Sequence, residues 1–324
     1  MRTVLRAILI LPPLLLLGVQ SASGQVYPSR PVTLVVPATP GSGPDIVART
    51  VGHQLSQRFG QPVVVDNRAG ASGNIGAAIV AKAEPDGHTL MVTINNFVIT
   101  PAFHKSLPYD PIASFAPISK LAVGHLALVV NTRALSIRTL GELLTTVRAR
   151  PGDINYGSPG SGSPIHLAME LFKKQLNLNI VHVPYKGMGG FMNDLLSGQI
   201  HLSMIPVHTA LPHVKGDRLA VLAVSGDTRS VLAPDLPSFG ELGLKNLDIQ
   251  LYYWIAAPAG TPTPVLRILN REVHNVLAEA SVRDLLLKQG LVPVSSSPEQ
   301  ISQLIRTDVV RWKEFVDKHG ITAD

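Results

Sequence analysis

Strand-like apolar runs and helix-like periodic segments alternate along this chain, and the alternation runs twice. Residues 33–36 form an apolar run of the buried-strand type, and 45–59 place Val47, Val51, Leu55 and Phe59 at helical spacing. A strand at 62–65, a helix at 75–83 and a strand at 89–94 complete a βαβαβ order, the pattern of a parallel sheet with helices on its faces. The order restarts with strands at 126–130, 154–156, 180–183, 200–205 and 219–224, separated by helices at 140–148, from Ser163-Pro164 onward and at 191–196. A strand at 252–257 follows, then helices opened by Thr263-Pro264 and by the capping box Ser297-Pro298-Glu299-Gln300. This order predicts two α/β domains, the first discontinuous over 25–123 and 232–324 and the second over 124–231. Two chain crossings at 122–126 and 224–233 would form the hinge, with a ligand cleft between the domains.

One short phrase occurs in both units. Pro40-Gly41-Ser42-Gly43-Pro44 leaves the first strand, and Pro159-Gly160-Ser161-Gly162-Ser163-Pro164 leaves the strand at 154–156. A small-residue turn at a helix start presents free backbone N–H groups and the positive end of the helix dipole, which binds an anion without a charged side chain. A single such turn would only mark a tight bend; two matched turns in two units point to one anion held between them. Thr39, Asn95, Asn96 and Ser158 also fall at strand ends or helix starts, where open α/β sheets bind ligands. His166, one turn into the second helix, either faces the ligand or ties the loop, and Asp45 is read as a brace of the first helix. Trp254 and Trp312 are read as core.

The chain ends and composition narrow the class. Arg2 and Arg6, the apolar stretch 7–19 broken by Pro12-Pro13, and the small residues Ser21-Ala22-Ser23-Gly24 read as an export signal over 1–24 that is removed by cleavage. No cysteine is present, which excludes disulfides, thiolate metal sites and thiol catalysis. The formal charge of +6 is scattered rather than striped, so nucleic acid is not an expected partner. His208 and His213 form the nearest metal-like pair and lack a carboxylate, so neither metal nor cofactor is expected. Nucleophile-elbow, Walker and dinucleotide fingerprints are absent, and an enzyme is not expected.

An ordered set of phrases carries a family resemblance. They include Tyr27-Pro28-Ser29-Arg30-Pro31-Val32, Val36-Pro37 leading to Asp45 and Ala48-Arg49, and Asp66-Asn67-Arg68-Ala69-Gly70-Ala71-Ser72-Gly73. Pro85-Asp86-Gly87-His88, Leu107-Pro108-Tyr109-Asp110-Pro111, Val183-Pro184-Tyr185-Lys186-Gly187, Pro234-Asp235-Leu236-Pro237 and Ala257-Pro258-Ala259-Gly260-Thr261-Pro262 follow in the same order. Through these the chain resembles the Bug/TctC family, periplasmic solute-binding proteins of tripartite tricarboxylate transporters. The resemblance implies a two-domain α/β periplasmic-binding-protein fold of type II-like, Venus-flytrap form, closing on a small carboxylate held largely by backbone N–H groups and water. Its contacts map to Ala38, Thr39, Pro40, Gly41 and Ser42 in the first domain, and to Ser158, Ser161, Gly162 and Ser163 in the second, with Asn95 and His166 near the cleft. It further implies a monomer that delivers its ligand to membrane permease subunits; a periplasmic sensor working with a sensor kinase, or a hydrolase using Ser158 or Ser161 with His166, are the alternatives.

The chain departs from the family pattern at three positions. Ala38 stands where a phenylalanine is common, Ser42 where a glycine is, and Ile205 near where relatives holding amino acids place an acidic residue. An isoleucine cannot pair with an ammonium group. The expected ligand is therefore a carboxylate without an amine, its apolar part against Ile205 or Ala38.

Overall fold

The structure is a computed structural model, and it describes residues 27–104, 106–244, 247 and 250–322. The expected export signal lies outside the described residues, and no helix among them is long and apolar enough to cross a membrane.

The first unit contains β1 (Val32–Val36), α1 (Gly43–Phe59), β2 (Val63–Asn67), α2 (Asn74–Ala81), β3 (Thr89–Ile94), α3 (Asn96–Ile99) and β4 (Phe115–Gly124). The second contains β5 (Leu126–Asn131), α4 (Leu140–Ala149), β6 (Asn155–Ser158), α5 (Pro164–Leu176), β7 (Val181–Pro184), α6 (Met188–Ser197), β8 (Leu202–Pro206), α7 (Val207–Lys215) and β9 (Leu219–Val224). The chain then returns with β10 (Leu251–Pro258), α8 (Thr263–Ala278), α9 (Ala280–Lys288), β11 (Val292–Pro293) and α10 (Pro298–His319).

Two sheets result, ordered β11-β4-β10-β3-β1-β2 and β7-β6-β8-β5-β9. Each is mixed rather than wholly parallel. β10 runs antiparallel to both β3 and β4, and β5 runs antiparallel to both β8 and β9. β5 and β10 are the strands that enter from the other unit, so their reversed direction is the mark of each crossing. Successive residues of β5 and β10 are buried without alternation, as expected of strands covered by helices on both faces. Trp254 is fully buried with its ring 5.3 Å from Phe97, and Trp312 is buried as well.

Local chemistry explains where the helices begin and end. Thr139 with Glu142, and Ser297 with Gln300, form reciprocal capping boxes on α4 and α10. Gly60, Asn177 and Gly320 close α1, α5 and α10 in the left-handed conformation.

The crossings are tighter than the sequence suggests. β4 pairs through Gly124 and β5 starts at Leu126, which leaves His125 alone between the sheets. On the return, 232–236 pack with the second unit's core, and Val224 N–H donates to Pro237 O (2.9 Å). The return therefore lies beyond Pro237 rather than at 232. Ser225, fully buried, stitches the crossings together: its Oγ accepts from Leu126 N–H (2.9 Å), and its N–H donates to Leu126 O (2.7 Å).

Candidate functional site

The carboxyl ends of β1, β2, β6, β7 and β8 lead into α1, α2, α5, α6 and α7, and the starts of all five helices border one cleft between the sheets. The cleft has two chambers. The outer, about 580 Å³, is bordered by Ala38, Thr39, Ser72 and Gly73 on one side and by Ser161, Gly162 and Ser163 on the other. The inner, about 530 Å³, is bordered by residues 41–44 and by Pro206, His208 and Leu251, beside the crossings. Pro44, Ile94, Pro159, Pro164 and Met188 border both, so the chambers adjoin. None of the described residues lining either chamber is Lys, Arg, Asp or Glu. The positive ends of the helix dipoles thus set the field there.

The two glycine-serine turns share one construction. Thr39-Pro40-Gly41-Ser42 closes with Ser42 N–H donating to Thr39 O (3.2 Å), and Gly160-Ser161-Gly162-Ser163 closes with Ser163 N–H donating to Gly160 O (3.2 Å). Gly41 and Gly162, with φ of 78° and 76°, occupy the left-handed position such turns require. The structural match is therefore Gly41 with Gly162 and Ser42 with Ser163, two residues out of step with the match of letters. The third helical residue reaches back in both: Gly41 N–H donates to Asp45 Oδ2 (2.8 Å), and Gly162 N–H donates to His166 Nδ1 (2.9 Å). These two amides hold their own loops and are not ligand donors.

Behind the first turn lies a charged network. Arg49 bonds both carboxylate oxygens of Asp45 (3.1 and 3.0 Å), and Asn67 Nδ2 donates to Asp45 Oδ1 (3.0 Å) and Ala38 O (3.2 Å). Burial pushes the Asp45 carboxyl up, but the bonds from Arg49, Gly41 N–H and Asn67 outweigh it and hold it below the usual range. Behind the second turn lies a ring stack. His182 sits between Tyr156 (4.7 Å) and His166 (4.1 Å), and Ser158 Oγ is 2.7 Å from His182 Nε2.

Eight expected contacts lie at the cleft loops. Ala38, Thr39, Ser161, Gly162 and Ser163 border the outer chamber, Gly41 and Ser42 the inner, and Pro40 forms the exposed corner of the first turn. Four others are corrected, because the structure places them behind the lining. Asn95 is buried and braces the return crossing, its N–H on Tyr252 O (3.1 Å) and its Nδ2 on Gln250 O (3.0 Å). Ser158 and His166 are buried within the second loop's support. Ile205 is fully buried in the second unit's core with Val129 and Phe191, so it cannot meet a ligand. The structure brings Ser158 to His182 rather than to His166; of the expected hydrolase residues Ser158 and His166 stand behind the lining, and Ser161 borders the outer chamber. Among the described residues no cluster of three metal-ligating side chains occurs.

The start of α2 adds a contact outside the two matched phrases: Ala69-Gly70-Ala71-Ser72-Gly73 is also a small-residue turn between strand and helix, and it borders the outer chamber. Residues 70–73 all have positive φ, including Ala71 (47°) and Ser72 (57°), a strained run of the kind found at binding sites. Asn96 faces the outer chamber and ties this turn, its Nδ2 donating to Ser72 O (2.9 Å).

The units touch at two glycines, Gly162 at the outer chamber and Gly290 outside the cleft. A Cβ on Gly162 would come within 3.0 Å of the Phe103 ring, and a Cβ on Gly290 within 2.2 Å of His208 Cβ. Replacing Gly162 by valine is therefore expected to weaken ligand binding about tenfold, through a crowding cost of about 1–3 kcal/mol. Calorimetry checks it, and Phe103→Ala in the same chain is expected to restore part of the loss.

Comparison with known proteins agrees with this architecture. The model of the tripartite tricarboxylate transporter family receptor matches residues 47–321. BugT of Bordetella pertussis is 33% identical over 300 residues, covering 92% of each chain. A solved structure described as a periplasmic transporter is 35% identical with a TM-score of 0.82, covering 92% of this chain and 100% of that one. An R. palustris protein solved with adipate is 32% identical with a TM-score of 0.82, covering 91% and 99%.

Proposed function

This chain belongs to the tripartite tricarboxylate transporter receptor family, and from that premise we propose that it is an exported, periplasmic solute-binding protein that captures a small carboxylate and delivers it to membrane permease subunits. The observation that carries this reading is the convergence of five helix starts on a cleft whose described lining has no charged side chain. Such a site favours an anion through dipoles and backbone donors, and it makes no covalent chemistry on it. The R. palustris relative solved with adipate supports a carboxylate.

In this reading the carboxylate occupies the outer chamber. Thr39, Ser72, Ser161 and Ser163 surround it with hydroxyls and main chain, and ordered water bridges the remaining distance nearly as well as a direct bond. Ala38, Gly41, Ser42 and Gly162 shape the walls, with Pro40 fixing the turn. The structure already seats Gly162 against Phe103 and Gly290 against His208, and opening about His125 to admit a ligand would part these contacts. An amino-acid ligand is disfavoured, because its ammonium group would meet no acidic residue among the described lining.

A thermal-shift panel of mono-, di- and tricarboxylates tests the reading. A ligand at about 100 times its dissociation constant adds about 2.7 kcal/mol, a shift of several degrees. A panel in which no carboxylate raises the melting temperature would sink it. Delivery is tested separately, by asking whether uptake through a cognate permease pair stops when this chain is absent.

A further inference from the structure

His208 forms a partition between two spaces. On one side lies the inner chamber of the cleft. On the other lies a groove of about 870 Å³, walled by α7 and residues 232–236 of the second unit and by Leu287, Lys288 and Gly290 of the first. The first unit seals the partition. A Cβ on Gly290 would stand 2.2 Å from His208 Cβ and 2.7 Å from its Nδ1, so the turn after α9 lies directly on the imidazole. Gly290 is buried there, and the half-buried ring makes no hydrogen bond among the described residues.

The charges around the ring are uneven. Lys215 from α7 and Lys288 from the end of α9 line the groove beside it, against one carboxylate, Asp235. From the inner chamber it meets the neutral Asn193 and Thr209, and burial pushes the Tyr253 phenol up, so that group is uncharged too. His125 is the second imidazole at the joint, tied to the residue before His208 through its carbonyl, which accepts from Val207 N–H (3.0 Å).

A proton taken up by His208 in this arrangement places a cation in a partly dry seam beside two lysines, and burial holds the imidazole below its ordinary range. Parting the units would open the partition to water and carry Lys288 away with the first unit. The proton therefore binds more readily to the parted form, and by linkage it favours that form. His208 does not border the outer chamber, where the carboxylate is read to sit, so its charge is not spent on holding the ligand there.

We infer that His208 is a proton-operated latch on the joint: neutral, it lets the two units seat against each other, and charged, it parts them, so the chain keeps its joined form at neutral pH and opens in acid. The latch acts on the protein alone, so it stands apart from the carboxylate reading. A ligand that needs the joined form would leave as the pH falls. With an ordinary imidazole value near 6.5 in the parted form, the ratio of parted to joined chains rises by up to about tenfold between pH 8 and pH 5.5.

The test uses the ligand-free chain without its leader, as native, Gly290→Ala and His208→Gln chains. Gly290→Ala loosens the joint without adding or removing a titratable group. Ring NMR follows the His208 titration, its signal being the one lost in His208→Gln. The sequence has no cysteine, so Thr145→Cys and Gln303→Cys, exposed on α4 and α10, take a fluorophore pair that reports the separation of the units. The native ring is expected to titrate at a pH lower by at least about 0.5 than the ring in Gly290→Ala. Separation should grow as the pH falls from 8 to 5.5, and adding His208→Gln should abolish that growth.

Equal ring titrations in the native and Gly290→Ala chains overturn the inference. So does a separation that ignores pH in both, or acid opening that survives His208→Gln, which would assign it to another group such as His125. A native ring that titrates at or above the ordinary value near pH 6.5 overturns it whatever the variants do. None of these outcomes bears on carboxylate capture, which the thermal-shift panel decides.

Discussion

Asp45→Ala is expected to lower stability by about 2–3 kcal/mol and to weaken carboxylate binding at least about tenfold, although Asp45 lines neither chamber. Its carboxylate is 3% exposed and accepts from Gly41 N–H, Asn67 and both ends of the Arg49 fork. Alanine would leave the Gly41 amide and the Asn67 side chain without their acceptor, and the first turn without its anchor. Arg49 is half exposed and finds water, which keeps the loss below that of a wholly buried pair. Urea unfolding gives the stability change and calorimetry the affinity.

The same residue fixes the sign of a pH effect. The folded-state pKa of Asp45 is depressed, because bonds from Arg49, Gly41 and Asn67 outweigh the opposing effect of burial. A depressed carboxyl pKa stabilises the fold above the unfolded value, near pH 4, and that stabilisation is lost as pH falls through the folded value. The native chain should therefore lose its advantage over Asp45→Ala below about pH 4 and keep it in full at neutral pH. A stability gap between the two that is constant from pH 7 to about pH 3 would contradict this account.

Gly290→Ala is the second large effect. Gly290 has φ of 73°, and an added Cβ would sit 2.2 Å from His208 Cβ across the joint between the two units. The strain costs about 1–2 kcal/mol in any state. The collision falls on a contact the structure already makes between α7 and the turn after α9, and by disfavouring that joined arrangement it should reduce affinity about tenfold to a hundredfold. Because the collision is at Cβ, His208→Ala should not relieve it and His208→Gly should. Affinities of the two double variants, measured side by side, separate this mechanism from a general loss of fold.

Much of the architecture was legible because both units repeat one local rule. A strand followed by a small-residue turn and an amphipathic helix puts that turn at the sheet's carboxyl edge, whatever the rest of the chain does. The family phrases also acquire reasons: Asp45, Arg49 and Asn67 are the partners of a single network under the first turn.

What was not legible has physical causes. β4 carries Pro117, which argues against a central strand; the structure accommodates it beside a register shift against β10, between Ser119 and Pro117. Ile205 lies in a strand buried on successive residues, so alternation could not say which face it takes. Asn95 and Asn96 stand at a strand-to-helix corner, where one residue's shift exchanges a hinge brace for a cleft wall. The two glycine-serine turns match in three dimensions only after a shift of two letters, because the residue reaching back to the turn, Asp45 or His166, sets the register. No local pattern announced it, since a carboxylate and an imidazole do the same work there.

The account rests on a negative charge being recognised by helix starts and backbone groups. Calorimetric titration of one carboxylate that raises the melting temperature, beside its own primary amide, tests that most directly. The amide keeps the shape and the tail but lacks the charge, so it is predicted to bind at least about a hundredfold more weakly. Equal affinity for acid and amide would contradict the account, whatever the tail.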